Sequence, residues 1–293
     1  MDPDEHERVR KEPAITSRPA RDTAAPVSVA SPPFIVTKEH RRFTEFADAC
    51  RRDRYIGLCY GPPGVGKTLS ARRYASWYEL SPLLRRGHKH FTQGRDRPDW
   101  HTVVYTPTVS ATPRIIDKEL CDLSSNLTVI RTPDPFDDRS LADPHASSAF
   151  VELLIIDEAD RLKTPGLEQL RDHYDRSQLG MILIGMPGIE KRLARYPQLY
   201  SRIGFVHEYR ALSADELTFV LQRHWSTPGL TLSADDFTDA EALAAVTRIT
   251  GGNFRLVHRL FAQITRVMEI NGLNIISREV VETARESLVI GTL

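Results

Sequence analysis

The residues with the clearest chemical capability lie at positions 61–68, which read GPPGVGKT. They satisfy the pattern GxxxxGK followed by Ser or Thr, and they stand between an apolar run at 55–60 and a helical pattern. Glycines allow the tight turn that points backbone N–H groups at a polyphosphate near a helix N-terminus. Lys67 supplies a cation for the β- and γ-phosphates, and the Thr68 hydroxyl supplies a ligand for Mg²⁺. We predict that ATP contacts Gly61, Pro62, Pro63, Gly64, Val65, Gly66, Lys67, Thr68 and Leu69.

A second chemical feature is a pair of adjacent carboxylates, Asp157 and Glu158, which follows the apolar run at 151–156. Such a run is typical of a central parallel strand that is covered on both faces. At the carboxyl end of that strand, Asp157 can complete the Mg²⁺ shell with Thr68, and Glu158 can polarise a water for attack on the γ-phosphate. An Asp-Glu pair is common by itself, but after a complete phosphate loop it indicates the second nucleotide-binding motif.

Composition limits the class of protein. Lys plus Arg and Asp plus Glu number 39 each, which argues against coating nucleic acid by bulk charge but allows a local basic surface. No stretch approaches the roughly 20 apolar residues of a membrane span, and the charged N-terminus does not resemble a signal peptide. We therefore expect a cytoplasmic protein without a membrane partner. The three cysteines lack metal-like spacing and are expected to be reduced.

The patterns along the chain divide it into three parts. Residues 1–33 are rich in proline and charge and are predicted to form a disordered tail. Residues 34–210 contain the two motifs and further strand patterns at 102–106 and 179–185, which predict an α/β core. Residues 211–293 are wholly helical, with a capping box at Ser213 and a Gly-Gly stop at 251–252, and predict a lid-like bundle of four helices.

Several arginines are candidates for contact with the phosphates. Arg192, Arg195 and Arg202 lie in a segment from which an arginine could reach the nucleotide of a neighbouring subunit and stabilise transition-state charge. We prefer Arg202 for this contact, and an intramolecular ion pair is its alternative. Arg255 starts a helix after a glycine-containing turn, from where its side chain could swing onto the phosphates of its own chain.

Two segments are candidates for contact with a nucleic acid backbone. Residues 81–100 mix five cationic side chains with histidines and aromatic residues, and residues 107–111 form a polar loop with small hydroxyl side chains. The first is a charge run of the kind that is usually only solvated surface, and the second could equally be an ordinary connector. Charge alone does not decide between these interpretations.

The order of the motifs resembles the AAA+ superfamily over residues 34–293. GPPGVGKT, LLIIDEAD, the strand LGMILIG, SRIG and GGNFR follow one another before a helical C-terminal region. The segments LIGMPGIEKRLARYPQLYSRIG and VVETARESLVIG are similar to the transposition regulators of the TnsC, TniB and MuB type. The resemblance implies an AAA+ P-loop fold with a parallel-sheet core and a C-terminal helical lid.

The same resemblance implies a function and roles for single residues. ATP-bound subunits of such proteins assemble as a ring or helical filament on duplex DNA, largely without sequence preference, and present it to a transposase, sometimes with a target-selector protein. Lys67 and Thr68 would bind phosphate and Mg²⁺, and Asp157 would bind Mg²⁺. Glu158 would activate water, Arg255 would sense ATP and Arg202 would act in trans.

This chain departs from the family pattern at one position. The strand at 179–185 usually ends in Asn or Thr near the γ-phosphate, whereas Met186 stands there. We therefore expect slow hydrolysis. Two other classes of AAA+ protein remain open, an ExeA-like ATPase that acts on protein partners and a replication initiator or loader. We expect neither, because the former commonly continues into envelope-associated segments and the latter into a dedicated DNA-binding domain.

Overall fold

The computed structural model describes residues 34–86, 100–131, 150–177, 179–225 and 236–288. By its internal contacts the chain divides into two units, Met1–Ile35 and Val36–Leu293. Nearly all described residues belong to the second unit. The predicted tail at 1–33 and the centre of the predicted basic segment, residues 87–99, lie outside the described ranges.

Within the described residues, five parallel strands form one sheet in the order β2-β3-β4-β1-β5. Their bounds are β1 Ile56–Tyr60, β2 Thr102–Tyr105, β3 Leu153–Ile156, β4 Gly180–Gly185 and β5 Ile203–Glu208. The inner strands β3 and β4 are buried along their whole length, as their continuous apolar sequences predict, whereas the edge strand β5 alternates between half-buried and exposed residues. The predicted parallel α/β class is confirmed.

Helices cover both faces of this sheet. One face packs against α1 Lys38–Asp53 and α2 Lys67–Tyr74, chiefly through Phe43, Ala47 and Ala71. The other face packs against α3 Trp77–Arg86, α4 Pro113–Arg131 and α5 Thr164–Ser177. The short helices α6 Ile189–Leu193 and α7 Pro197–Tyr200 lie between β4 and β5. A short 3-10 turn, Ala159–Arg161, follows β3.

Two helices are longer than the sequence predicted. The sequence from residue 81 to 100 has no helical period and predicts a loop, yet residues 81–86 complete α3 despite Pro82, because Leu80 and Leu84 are buried in the core. Burial of these side chains outweighs the intrinsic penalty of an interior proline. For α4, the N-cap pattern at 112–113 and the apolar spacing that follows predict a helix that ends near Asn126. That end is wrong, because the buried Leu127 and Ile130 continue the apolar face to Arg131.

Four helices follow β5 within the described residues, α8 Ala214–Trp225, α9 Phe237–Thr250, α10 Phe254–Asn271 and α11 Arg278–Glu286. The predicted capping box is present, since the Ser213 hydroxyl and Glu216 carboxylate bond reciprocally to each other's backbone N–H groups. Residues 36–293 form a single contact unit, so a domain boundary at 210/211 stays a prediction. In the described part of the chain, no helix combines the length and apolarity needed to cross a membrane.

The turn between α9 and α10 depends on a glycine, which gives a testable prediction. Gly252 has φ +75°, and a Cβ there would collide with the Leu212 carbonyl oxygen, a backbone atom. We expect Gly252→Ala to lower the free energy of unfolding by about 3 kcal/mol, combining left-handed strain with the clash. Gly272→Ala is the matched control, because Gly272 has φ +61° but faces open space. It should cost about 1 kcal/mol in urea denaturation, and equal losses would contradict the role of the clash.

Candidate nucleotide-binding site

The loop between β1 and α2 has the geometry of an anion cradle. Gly64 and Gly66 adopt φ +81° and +115°, and a Cβ on Gly61 would overlap the Tyr209 carbonyl oxygen. The backbone N–H groups of residues 64–68 have no acceptor among the described residues. Residues 64–66 precede α2, and the N–H groups in the first turn of a helix have no intrahelical carbonyl to bond. Unpaired N–H groups at a helix N-terminus are well suited to bind phosphate oxygens.

The two polar side chains of the loop are also positioned for phosphate chemistry. Lys67 Nζ donates to the carbonyl oxygens of Gly61 at 2.6 Å and Pro62 at 2.8 Å. This keeps the ammonium under the loop, where burial lowers the pKa of Lys67. The Thr68 hydroxyl donates to Asp157 Oδ1 at 3.2 Å, which brings the two predicted Mg²⁺ ligands together across 89 residues of sequence.

The carboxylates lie just beyond the end of β3, as predicted. Asp157 is 3% exposed, and burial raises the pKa of its carboxyl, although the hydrogen bond from Thr68 opposes that shift. Glu158 adopts a left-handed backbone conformation with φ 56°, which is unusual for a residue with a side chain. Its carboxylate forms an ion pair with Arg161, whose Nη1 also donates to the Pro107 carbonyl oxygen at 3.2 Å. The predicted water-activating group is therefore paired in this structure.

The helical region closes the site from the other side. Asn253 Nδ2 donates to the Pro63 carbonyl oxygen at 2.8 Å, and the Arg255 backbone N–H donates to the Gly64 carbonyl oxygen at 2.9 Å. The start of α10 is thus hydrogen-bonded directly to the phosphate loop. This brings the predicted Arg255 to the same cavity as Lys67.

The cavity between these elements has a volume of about 820 Å³, within the usual range for a small-molecule site. Its walls include nine predicted residues: Pro63, Gly64, Gly66, Lys67, Thr68, Leu69, Asp157, Glu158 and Arg255. Sequence reasoning missed several others, among them Arg72, Thr106, Asp160, Arg161, Phe254 and His258. Helical spacing could have found two of them, because Arg72 follows Thr68 by four residues and His258 follows Arg255 by three. Gly61, Pro62 and Val65 belong to the loop without lining the cavity.

Met186 lies immediately after β4 and lines the cavity. The residue is 39% exposed, and its backbone N–H donates to Asp160 Oδ2 at 2.8 Å. Burial raises the pKa of the Asp160 carboxyl. The strand end that carries a polar residue in the family pattern therefore presents the apolar Met186 side chain to the cavity, at the position that the sequence indicated.

The three candidate trans-acting arginines have different surroundings. Arg202 makes a bidentate ion pair with Asp175, at 2.6 and 2.8 Å, and also bonds the Gln198 carbonyl. The intramolecular pair named as the alternative for Arg202 is thus present, and its contact in trans stays a prediction. Arg192 donates to the carbonyl oxygens of Asp160 and Leu162. Arg195 is exposed, and the described residues provide no side-chain partner for it.

The donor set fits magnesium. Asp157 and Thr68 offer two hard oxygen atoms next to the phosphate loop, and Mg²⁺ prefers such ligands with water and substrate phosphates completing the shell. No cluster of three or more His, Cys, Asp or Glu side chains suited to a metal occurs among the described residues. An ion held by few protein ligands and by phosphate is consistent with this arrangement.

Comparison with known proteins also indicates a nucleotide-binding protein. The model of an AAA domain matches residues 50–193. A potential ATP-binding protein of Staphylococcus aureus is 48% identical over 266 residues, which cover 88% of this chain and 97% of that protein. The Mu-like prophage FluMu DNA transposition protein B of Haemophilus influenzae is 23% identical over 239 residues, covering 80% of this chain and 73% of that protein.

Solved structures extend the comparison to the fold. The Thermotoga maritima RuvB Holliday junction branch migration motor superposes with a TM-score of 0.54 at 18% sequence identity. The superposition covers 86% of this chain and 69% of the motor. At this identity the similarity concerns the arrangement of strands and helices.

Proposed function

We propose a function that proceeds from the family to which this chain belongs, the AAA+ ATPases. In this proposal the protein is a Mg²⁺-dependent, nucleotide-controlled regulator of transposition that assembles on duplex DNA. The observation that carries the nucleotide control is the direct hydrogen bonding of the helical lid to the phosphate loop at Pro63 and Gly64. The similarity to a DNA transposition protein over 80% of this chain supports the choice of transposition.

The chain's own groups divide the chemistry among them. The N–H groups of residues 64–68 and the Lys67 ammonium bind phosphate oxygens, while Thr68 and Asp157 hold the metal. When bound, Mg²⁺ would neutralise charge on the phosphates. Glu158 accepts a proton from the attacking water, which requires its carboxylate to leave Arg161. Arg255 couples ATP binding to the position of the lid, because its backbone N–H already donates to the Gly64 carbonyl oxygen of the phosphate loop.

Slow hydrolysis belongs to this proposal. Met186 offers no hydrogen bond from its side chain to a phosphate or to the attacking water, so one source of transition-state stabilisation in related ATPases is missing. A slow ATPase suits a protein whose ATP-bound assembly must last. An arginine from a neighbouring subunit would complete the site, and Arg195 is the least engaged of the three candidates.

We attribute DNA binding to weak contacts with the DNA phosphates that each subunit of the assembly repeats. Net charge is zero, so affinity must come from local groups summed over many subunits. The loop at 107–111 exposes the hydroxyl groups of Thr108 and Ser110, and the exposed Arg114 and Lys118 follow on α4. This loop is adjacent to the ATP site, since Arg161 bonds both Glu158 and the Pro107 carbonyl. A transposase, and in some systems a target-selector protein, would then recognise the assembly.

Sedimentation and electron microscopy with duplex DNA test the proposal. With a non-hydrolysable ATP analogue we expect a ring or filament whose formation weakens as salt rises, and with ADP a smaller species. A monomer in the presence of analogue and DNA would refute the proposal. An assembly that forms on protein partners but never on DNA would instead favour an ExeA-like activity. The transposition role requires that the ATP-bound assembly stimulate a transposase on the DNA it covers.

A further inference from the structure

Arg72 lies on α2, one turn beyond Thr68, and lines the same cavity as Lys67 and Asp157. Its Nε atom is buried, and no acceptor for it exists among the described residues. Arg202 provides the contrast, because its Nε and Nη2 atoms both donate to Asp175. One arginine is thus held in an ion pair away from the cavity, and the other is unpaired within it.

A buried guanidinium N–H without an acceptor is unfavourable by about 1 to 3 kcal/mol, and nearly all buried polar groups in native proteins have a hydrogen-bond partner, which can be protein, water or a bound ion. Arg72 is close enough to Asp157 to act against the burial that raises the pKa of that carboxyl. It nevertheless forms no ion pair with Asp157 in the described chain. The missing partner is therefore better sought in the ligand than in the protein.

The direction of the side chain identifies which part of the ligand that would be. Side chains of an α-helix lean towards its N-terminus, so Arg72 covers the turn that carries Lys67 and Thr68. These residues face the terminal phosphates, and a planar guanidinium can donate two parallel hydrogen bonds to one phosphate group. Met186, just after the end of β4, lines the same cavity and contributes no side-chain donor to it.

We propose that Arg72 is a phosphate-binding residue that contacts the terminal phosphate of ATP from within the same chain and makes the site prefer ATP to ADP. The inference rests on the proposed ATP binding and extends it to the discrimination between nucleotides. Arg72 would thus provide a contact that AAA+ proteins usually obtain from a polar residue at the end of this strand. The lid would then close on a phosphate loop at which Arg72, one turn beyond Thr68, distinguishes bound ATP from bound ADP.

The test compares Arg72→Gln and Arg72→Lys with Arg73→Gln, a neighbouring arginine on the same helix that does not line the cavity. Binding of a non-hydrolysable ATP analogue and of ADP is measured without DNA. Arg72→Gln should weaken binding of the analogue about 10- to 100-fold, the effect of losing hydrogen bonds from a charged donor, and leave ADP binding unchanged. Arg72→Lys should recover part of this loss because it keeps the charge without the fork. Arg73→Gln should change neither affinity.

Three results would overturn the inference. Equal losses of ATP-analogue and ADP affinity in Arg72→Gln, with a lower melting temperature, would indicate a structural role. An unchanged affinity ratio with slower hydrolysis would indicate that Arg72 orients Glu158. If Arg72→Gln does not fold, an unchanged ratio of ATP-analogue affinity to ADP affinity in Arg72→Lys would overturn the inference instead. Because DNA is absent, failure of assembly on DNA would refute the proposed function without affecting this result.

Discussion

We expect Lys67→Ala to abolish the ATP-dependent assembly of this protein on duplex DNA. The ammonium is buried under the phosphate loop, held by the carbonyl oxygens of Gly61 and Pro62, and in loops of this type the lysine binds the β- and γ-phosphates. Removing it eliminates charged hydrogen bonds of about 3 kcal/mol together, which corresponds to about a 100-fold loss of ATP affinity. Nucleotide binding and DNA sedimentation measure the two effects.

The control for this variant is Lys163→Ala. Lys163 is exposed, lies outside the cavity and contributes only its backbone carbonyl to the start of α5. It should bind ATP and DNA like the unmodified protein. If Lys67→Ala assembled on DNA normally although it no longer bound ATP, DNA binding would be independent of the nucleotide and the proposed control would be wrong.

Glu158→Gln should have the opposite effect on the assembly. Glutamine has the same shape but cannot accept a proton, so hydrolysis should fall by about 10² to 10⁴-fold, the usual contribution of a general base. ATP binding should persist, because Lys67, Thr68 and the loop N–H groups are unchanged. We therefore expect assemblies on DNA that form normally and dissociate much more slowly after free ATP is removed. Phosphate release and the lifetime of DNA complexes are the measurements.

Glu152→Gln is the matched control, because Glu152 precedes the same strand at its opposite end and is exposed. It should alter neither hydrolysis nor the lifetime of complexes. Normal hydrolysis by Glu158→Gln would show that another group activates water. If hydrolysis were lost but the complexes did not live longer, hydrolysis would not be what drives disassembly. That result would contradict the proposal that slow hydrolysis, which we attribute to Met186, prolongs the assembly.

Local sequence patterns were sufficient for most of the elements and for half of the site. The phosphate loop, the buried strand before Asp157, the capping box at Ser213 and the stop at Gly251 all depend on residues within a few positions of one another. For this reason their residue types alone predicted them. The ends of α3 and α4 were misjudged because burial of Leu84 and Ile130 depends on neighbours that are distant in sequence.

The remainder of the site could be known only from the tertiary structure. The bond from Asn253 to Pro63 joins residues 190 positions apart, and the pairing of Arg202 with Asp175 spans 27 positions. No periodicity encodes either contact, because each depends on how helices and strands pack. Sequence by itself determined that this chain carries a phosphate-loop motif and, after a buried strand, the adjacent carboxylates Asp157 and Glu158. The folded chain decided which arginines are engaged in ion pairs, and that Arg72 lines the phosphate-loop cavity with a buried Nε atom that has no acceptor among the described residues.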